Sequence, residues 1–168
     1  PAPESPNSYR SFRDGKSWML YGEGRYFHDL QCVASYPTKD LWTGPVPAAA
    51  PGPQLAKVRA KLKAAQPLKL VTLGDSISTG ANASGAVNAP PMQPGYPDLV
   101  ARGLEKRFGG KVTAKNLSVG GMDSAWGLQQ VPAVVAEKPD LVLLAFGMND
   151  ASGRRTKEEF SKLILQTK

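Results

Sequence analysis

The sequence has one cysteine and one histidine among its 168 residues, and this scarcity removes two common kinds of site. Cys32 has no partner for an internal disulfide, and together with His28 it leaves no credible set of zinc ligands. No apolar run approaches the roughly 18 residues that a membrane-spanning helix needs. The first ten residues, PAPESPNSYR, have no apolar stretch of the signal-peptide type. We therefore expect neither a metal site nor a membrane span in this chain.

Phosphate-binding motifs are missing as well. No Gly-x-Gly-x-x-Gly follows a strand pattern and no Walker A loop is present, which excludes the usual nucleotide cradles. The segment 74–78 is not Gly-x-Ser-x-Gly, so the nucleophile elbow of α/β-hydrolases is absent. The net charge of +7 is compatible with nucleic-acid binding, but the basic residues are scattered along helical segments instead of forming one block. We therefore do not expect nucleic acid as a partner.

Composition changes near residue 45. Eight of the thirteen aromatic residues precede that point, and SWMLY and RYFHDLQCVASY flank Gly22–Gly24 in the manner of two strands and a turn. We interpret residues 1–43 as a β-rich segment, either an edge of the main domain or the tail of a preceding β-sandwich domain. Residues 44–53, rich in proline, alanine and glycine, are typical of a semi-rigid linker.

Residues 54–168 alternate between helical and strand patterns. The predicted strands are 68–73, 111–117 and 141–146, and the predicted helices are 54–66, 97–108, 124–137 and one that begins near 156. Thr156 and Glu159 have the spacing of a capping box. This order predicts an α/β fold with a parallel sheet and helices on both of its faces.

A chemically capable group follows each predicted strand: Ser76, Gly121 and Asn149. Because active sites of parallel sheets lie outside the carboxyl ends of the strands, we expect these residues to meet in one crevice. The Ser76 hydroxyl can attack an acyl carbonyl. The amides of Ser76 and Gly121 and the side chain of Asn149 can then donate hydrogen bonds to the oxyanion. The sequence predicts a serine nucleophile with a three-donor oxyanion hole.

Each of these residues also has a purely structural interpretation. Ser76 can cap the helix that follows its strand, and Gly120 competes with Gly121 for the amide role. Asn149 can be a turn residue, and we interpret Asp150 mainly as a helix cap.

Three neighbouring residues have supporting or structural roles in this interpretation. Asp75 and Asp123 are predicted to brace their loops through hydrogen bonds to the backbone. Trp126 is interpreted as part of the core or of a groove wall, in preference to a platform for a sugar ring.

Three blocks of the chain resemble the SGNH hydrolases, also called GDSL esterases and lipases. LVTLGDSIS, NLSVGGMDSAWGL and LLAFGMND are similar to the first three blocks of that family, in the same order, over residues 68–150. The resemblance implies a flavodoxin-like three-layer α/β/α fold and hydrolysis of carboxylic esters by Ser76, without a metal or organic cofactor. Residues 54–168 would then be the amino-terminal part of such a hydrolase domain.

The β-rich segment and the linker resemble the junction in family members that carry a β-sandwich ahead of a hydrolase domain acting on acetylated sugars. This likeness implies a small-molecule or glycan ester as the substrate. Family resemblance also favours a secreted or periplasmic location. Nothing in the sequence indicates an oligomeric state.

One block of the family is missing. Its Asp-x-x-His block supplies the general base, yet no histidine follows Ser76, and His28 lies in the β-rich segment, where we interpret it as a polar strand residue. Our hypothesis is that the chain is a fragment whose catalytic histidine lies downstream of Lys168, so that the chain alone is inactive. The alternative is a non-catalytic carbohydrate-binding or interaction protein on a decayed hydrolase scaffold, with Trp126 and the aromatic segment as stacking surfaces.

Overall fold

A computed structural model of the chain describes residues 9–11, 18–20, 28, 34–40, 43–44 and 55–167. Near the amino terminus, strands β1 (Tyr9–Ser11) and β2 (Trp18–Leu20) pair in antiparallel fashion. The strand expected in SWMLY is therefore present, but its partner lies upstream of it. Strand structure for RYFHDLQCVASY is wrong where it is described, because residue 28 is helical and residues 34–36 have no regular structure. Aromatic content signals a half-buried surface more than a backbone conformation.

The predicted turn at Gly22–Gly24 and nearly all of the predicted linker lie outside the described residues. The elements after them alternate as expected. They are α1 (Ala56–Lys63), β3 (Leu68–Gly74), α2 (Ser76–Thr79), α3 (Tyr96–Phe108), β4 (Val112–Asn116), α4 (Ser124–Gln129), α5 (Val131–Ala136), β5 (Leu141–Ala145), α6 (Met148–Ser152) and α7 (Lys157–Thr167).

The strands β3, β4 and β5 form a parallel sheet in the order β4-β3-β5. Thr72 of β3 pairs with Asn116 of β4, and Gly74 pairs with Ala145 of β5. The carboxyl ends of all three strands therefore lie along one edge of the sheet. Whatever follows each strand begins at that edge, which is what positions the candidate site.

Helices cover both faces of this sheet. On one face, α1 and α3 pack over Leu68 and Leu70 of β3, and on the other face α4 and α5 pack over Val71 and Leu73. All four of these β3 side chains are at most 1% exposed. A buried leucine or valine contributes roughly 1.5–3 kcal/mol through removal of its surface from water. The uninterrupted apolar run of β3 is thus explained, since both faces of this central strand are covered.

The predicted helix 124–137 is two helices, separated at Gln130. Gln130 ends α4 and precedes α5, and Pro132 lies in the first turn of α5. Because proline has no backbone N–H, it cannot continue the hydrogen-bond ladder of α4, although it is tolerated at a helix start. The single predicted helix was therefore wrong at this point, and the proline is the reason.

The predicted capping box at the start of α7 is confirmed. The backbone N–H of Thr156 donates to the Glu159 carboxylate at 2.9 Å, and the N–H of Glu159 donates to the Thr156 hydroxyl at 3.2 Å. These two bonds satisfy amides that have no partner within the helix. They fix where α7 begins.

Candidate active site

Ser76 is the first residue of α2, directly after the turn that leaves β3. Asp75 is the N-cap of this short helix, and its carboxylate accepts a hydrogen bond from the Ile77 amide at 2.9 Å. The predicted bracing role of Asp75 is confirmed. The alternative in which Ser76 caps the helix is wrong, because Asp75 occupies that position and leaves the hydroxyl of the half-buried Ser76 uncommitted to capping.

The turn at Ser76 is packed tightly against the sheet. A β-carbon on Gly74 would lie 2.3 Å from the Ser78 Oγ and 2.5 Å from the carbonyl oxygen of Ala145. No side chain fits there, so Gly74 is required by close approach and not by an unusual backbone angle. Glycine at the end of β3 is what allows α2 to start so close to β5.

Hydrogen bonds between neutral groups hold α2 at Ser78, where Asn116 of β4 and Tyr96 of α3 contact it. The Asn116 side-chain amide donates to the Ser78 carbonyl oxygen at 2.6 Å, and the hydroxyls of Ser78 and Tyr96 share a hydrogen bond of 2.8 Å. Asn116 also accepts from the Ser118 amide at 3.0 Å. The role of Asn116 was missed from the sequence, where its position at the end of β4 was the only available signal.

The loop after β4 runs beside Ser76. The Val119 amide donates to the Gly74 carbonyl oxygen at 3.1 Å, and a β-carbon on Gly120 would lie 3.7 Å from the Ser76 Cβ. Gly121 has φ of +80°, a conformation that favours glycine, and the direction of its missing side chain is open space. Gly120 is thus in contact range of Ser76, while Gly121 faces an open region next to it.

Asn149 reaches the same loop from the third strand. It lies in α6, which follows Gly147, and its side-chain amide donates to the Met122 carbonyl oxygen at 2.8 Å. The turn interpretation of Asn149 was therefore wrong. An amide nitrogen carries two hydrogens, so the bond to Met122 orients the group and leaves a second donor. The fold brings Ser76, the Gly120–Gly121 loop and Asn149 to one edge of the sheet.

We expected Asp150 to cap a helix, and this prediction is wrong. Asp150 is a buried hydrogen-bond acceptor inside α6. Its carboxylate, 3% exposed, receives hydrogen bonds from the amide and the hydroxyl of Ser124 at 3.1 and 2.5 Å. The Arg155 Nε also donates to it at 2.7 Å. Ser124 contacts it from α4 and Arg155 from the loop between α6 and α7, so contacts outside α6, and not the start of that helix, determine what Asp150 does.

Asp123 has the bracing role that was predicted for it. It is the N-cap of α4 and accepts from the Trp126 amide at 3.0 Å, and the Arg155 Nη2 donates to its other oxygen at 2.6 Å. The Trp126 hydrogen bond, followed by the Arg155 contact, holds the pKa of Asp123 below its usual 3.8. The hydrogen bond to Asp123 in turn raises the pKa of Arg155. No sequence motif marked Arg155, and Ser124 was noticed only as a member of the block NLSVGGMDSAWGL, with no role assigned to it.

Trp126, a residue of α4, packs into the core between that helix and the sheet. Its ring is half-buried and meets Phe146 edge-on, with centroids 6.3 Å apart. It belongs to the apolar cluster built around Val71, Leu73 and Val134. The interpretation of Trp126 as a core or wall residue is confirmed.

His28 lies against the loop that follows α2. Its Nε2 is 2.7 Å from the Asn82 carbonyl oxygen, and the residue is helical, so its interpretation as a strand residue is wrong.

Across the described residues, no group of three or more His, Cys, Asp or Glu side chains is arranged to hold a metal ion. Within that same part of the chain, no helix has the length and apolar character needed to cross a bilayer.

Family comparison adds an independent observation to this geometry. The profile of the GDSL-like lipase/acylhydrolase family matches residues 72–166, more than half of the chain and all three strand ends. The chain belongs to this family. Comparison with curated proteins returned no match.

Several solved structures resemble this GDSL-family chain, two of them of one esterase. A two-domain esterase (CEX) active on acetylated mannans is 28% identical, with a TM-score of 0.51 over 62% of this chain and 26% of that one. Its structure co-crystallised with mannopentaose is also 28% identical, with a TM-score of 0.53 over 66% of this chain and 30% of that one. TesA is 29% identical, with a TM-score of 0.48 over 59% of this chain.

The chain spans only part of each of these proteins. It covers 51% of the length of TesA and at most 30% of the two-domain esterase. What is shared is the α/β architecture around the three-strand parallel sheet.

Proposed function

We propose that this chain forms the serine and oxyanion-binding part of a serine esterase with the flavodoxin-like SGNH fold. The observation that carries the proposal is the convergence of three strand ends. A β-carbon on Gly120 would be 3.7 Å from that of Ser76, and Asn149 is hydrogen-bonded to Met122, the residue after Gly121. These contacts support a site in which the Ser76 hydroxyl lies beside several hydrogen-bond donors, which is what acyl transfer requires.

In the proposed mechanism, the Ser76 Oγ attacks the carbonyl carbon of the ester. The negative charge that forms on the carbonyl oxygen is stabilised by the Ser76 and Gly121 amides and by the side-chain amide of Asn149. Collapse of this intermediate releases the alcohol and leaves an acyl group on Ser76. Water then attacks the acyl-enzyme and releases the carboxylic acid.

A general base must take the proton from Ser76 and pass it to the leaving alcohol. The family pattern supplies it from an Asp-x-x-His block, and we propose that this histidine comes from polypeptide outside the 168 residues. Histidine suits the role because its pKa is close to neutral pH. His28, the one histidine of the sequence, contacts the Asn82 carbonyl oxygen in the loop after α2. We assign it no part in the reaction.

An apolar groove beside β5 supports the proposal that more of the hydrolase domain packs here. The groove has a volume of about 1120 Å³ and is lined mainly by side chains of β5, α5 and α7, including Val134, Val142 and Leu144. In the part of the chain that is described, β5 pairs on one side only, with β3. Val142 is 38% exposed, whereas the corresponding positions of β3 are buried. A further strand and helix would cover this surface.

For the substrate, we propose acetyl esters of carbohydrates. The support is the similarity to the two-domain esterase active on acetylated mannans, whose structural match covers up to 66% of this chain. The open space in front of Gly121 is compatible with an acyl group next to the donors. A non-catalytic sugar-binding protein is the weaker candidate, because Trp126 is committed to packing against Phe146.

The test is hydrolysis of p-nitrophenyl acetate and of acetylated mannan by the full-length gene product. We expect Ser76→Ala to lower kcat by roughly three orders of magnitude or more, since removal of the nucleophile leaves only the contribution of the oxyanion donors and of binding. Equal rates for the wild type and Ser76→Ala would rule out the serine mechanism.

His28→Gln is the matched control, because it removes the one histidine of the chain and preserves hydrogen-bonding capacity. We expect its rates to stay close to those of the wild type. A loss as large as that of Ser76→Ala would show that His28 is the base and that no histidine from outside the chain is needed.

A further inference from the structure

Arg155 lies between the two segments that carry the candidate oxyanion donors, the loop of Gly121 and the helix α6 of Asn149. Its Nη2 is 2.6 Å from the Asp123 Oδ2, and its Nε is 2.7 Å from the Asp150 Oδ1. The Arg155 backbone amide also donates to the Asp150 carbonyl oxygen at 2.9 Å. The Asp150 side chain is 3% exposed and that of Asp123 is 35% exposed, so the contact with Asp150 is shielded from solvent and the contact with Asp123 is partly open to it. One planar guanidinium thus joins two carboxylates from different elements, a geometry that lysine cannot reproduce.

Each of these carboxylates is adjacent to a group of the proposed oxyanion hole. Asp123 is two residues from Gly121 and caps α4 through the Trp126 amide. Asp150 directly follows Asn149 and accepts from the fully buried Ser124. A shift of either carboxylate therefore moves a donor, either the Gly121 amide or the Asn149 side chain.

The charges make Arg155 difficult to replace. Both carboxylates contact the same guanidinium, so without it two negative charges would face each other at the junction of the loops. The low pKa of Asp123, held mainly by the Trp126 amide and then by Arg155, agrees with an ionised carboxylate at this place. Repulsion between the two carboxylates would separate the loop of Gly121 from the helix of Asn149.

We propose that Arg155 is a positioning residue that fixes the distance between the Gly121 amide and the Asn149 side-chain amide in the esterase reaction. This inference rests on the proposed function. Arg155 acts through Asp123 and Asp150 and does not itself touch the ester. Displacement of a preorganised donor by about 1 Å can lower a rate by roughly 100-fold, so the arrangement of these two loops matters for catalysis.

The kinetic test compares Arg155→Ala, Arg155→Lys and the matched control Arg154→Ala in the full-length gene product. Arg154 is the exposed neighbour, so its substitution removes the same charge without touching either carboxylate. We expect Arg155→Ala to lower kcat for p-nitrophenyl acetate by roughly 10- to 100-fold with KM nearly unchanged. Arg155→Lys should be intermediate, and Arg154→Ala should match the wild type. Millimolar guanidinium should restore much of kcat to Arg155→Ala, which a general loss of folding would not allow.

Amide hydrogen exchange separates failure of this inference from failure of the proposed function. In Arg155→Ala, exchange should accelerate in segments 119–124 and 147–150 but not in β3, whether or not the protein hydrolyses esters. Unchanged exchange in both segments would overturn the positioning role. An active wild type with an equally active Arg155→Ala variant would also overturn it, whereas an inactive wild type would refute only the proposed function.

Discussion

On the Ser76 side of the site, which comprises α2 and its contacts with Asn116 and Tyr96, those contacts join neutral groups, the packing is tight at Gly74, and the Asp75 carboxylate bonds the neutral amide of Ile77. On the Asn149 side, which comprises residues 119–124 and 147–150, two carboxylates converge on one guanidinium. The Ser76 side depends mainly on close packing and neutral hydrogen bonds, and the Asn149 side depends on ion pairs. The Asn116 and Tyr96 contacts on the Ser76 side should therefore tolerate changes of pH and salt, while the Asn149 side should respond to both.

The two sides also differ in where their partners lie in the sequence. The Ser76 turn is fixed largely by residues of β3, α2 and β4, which form around the buried centre of the sheet. The Asn149 side depends on Arg155, which lies beyond the last strand of the chain.

Apart from removal of the nucleophile itself, the largest effect is expected from loss of a donor on the Asn149 side. Asn149→Ala removes the side-chain amide that would bind the oxyanion, and loss of one such donor typically lowers kcat by about 100- to 1000-fold. Rates of p-nitrophenyl acetate hydrolysis by the full-length gene product measure this. Asn149→Asp is the control of equal size, and it should be at least as impaired because a carboxylate repels the oxyanion. An Asn149→Ala variant with normal kcat would remove Asn149 from the oxyanion hole.

A smaller effect is expected on the Ser76 side. Asn116→Ala removes the bonds to Ser78 and Ser118, which should lower the free energy of unfolding by about 1–2 kcal/mol and kcat by roughly tenfold. Because these bonds join neutral groups, the loss should be the same at low and at high salt. Denaturant titrations at two ionic strengths measure it. A strong salt dependence would show that the two sides are not held by different kinds of interaction.

The smallest effect is expected from a fall in pH, which protonates Asp123 and removes its contribution to stability. The folded-state pKa of Asp123 is below 3.8, so its contribution to stability is fully present above about pH 4 and is lost as the pH falls through the folded-state value. Carboxyl-carbon NMR titration of Asp123 should give a pKa below 3.8 in the wild type and a higher value in Arg155→Ala. Identical values in both proteins would mean that Arg155 does not interact electrostatically with Asp123.

The strands and the strand ends were predictable because each signal is local. The apolar run of β3, the Gly74–Ser76 turn and the capping box at Thr156 each follow from neighbouring residues, and the structure has them where they were expected. The family resemblance also rested on local signals, the blocks LVTLGDSIS, NLSVGGMDSAWGL and LLAFGMND, and the family profile matches residues 72–166.

The connections between the blocks were not predictable. Asp150 was expected to cap a helix, but its partner Ser124 lies 26 residues away in α4, a separation that no local pattern encodes, and Arg155 bonds it from the loop after α6. Pro132 divides a helix whose apolar periodicity runs on without interruption. In the amino-terminal segment, aromatic content indicated strands at positions where residue 28 is helical. Each error arose where a tertiary contact or a missing backbone donor outweighed a local preference.

The most direct test of the account is covalent labelling of the full-length gene product with a fluorophosphonate, followed by peptide mass spectrometry. We predict one adduct, on Ser76, which is absent from Ser76→Ala and forms more slowly in Asn149→Ala. An adduct on another serine, such as Ser118 or Ser124, or labelling that persists unchanged in Ser76→Ala, would contradict the assignment of Ser76 as the nucleophile.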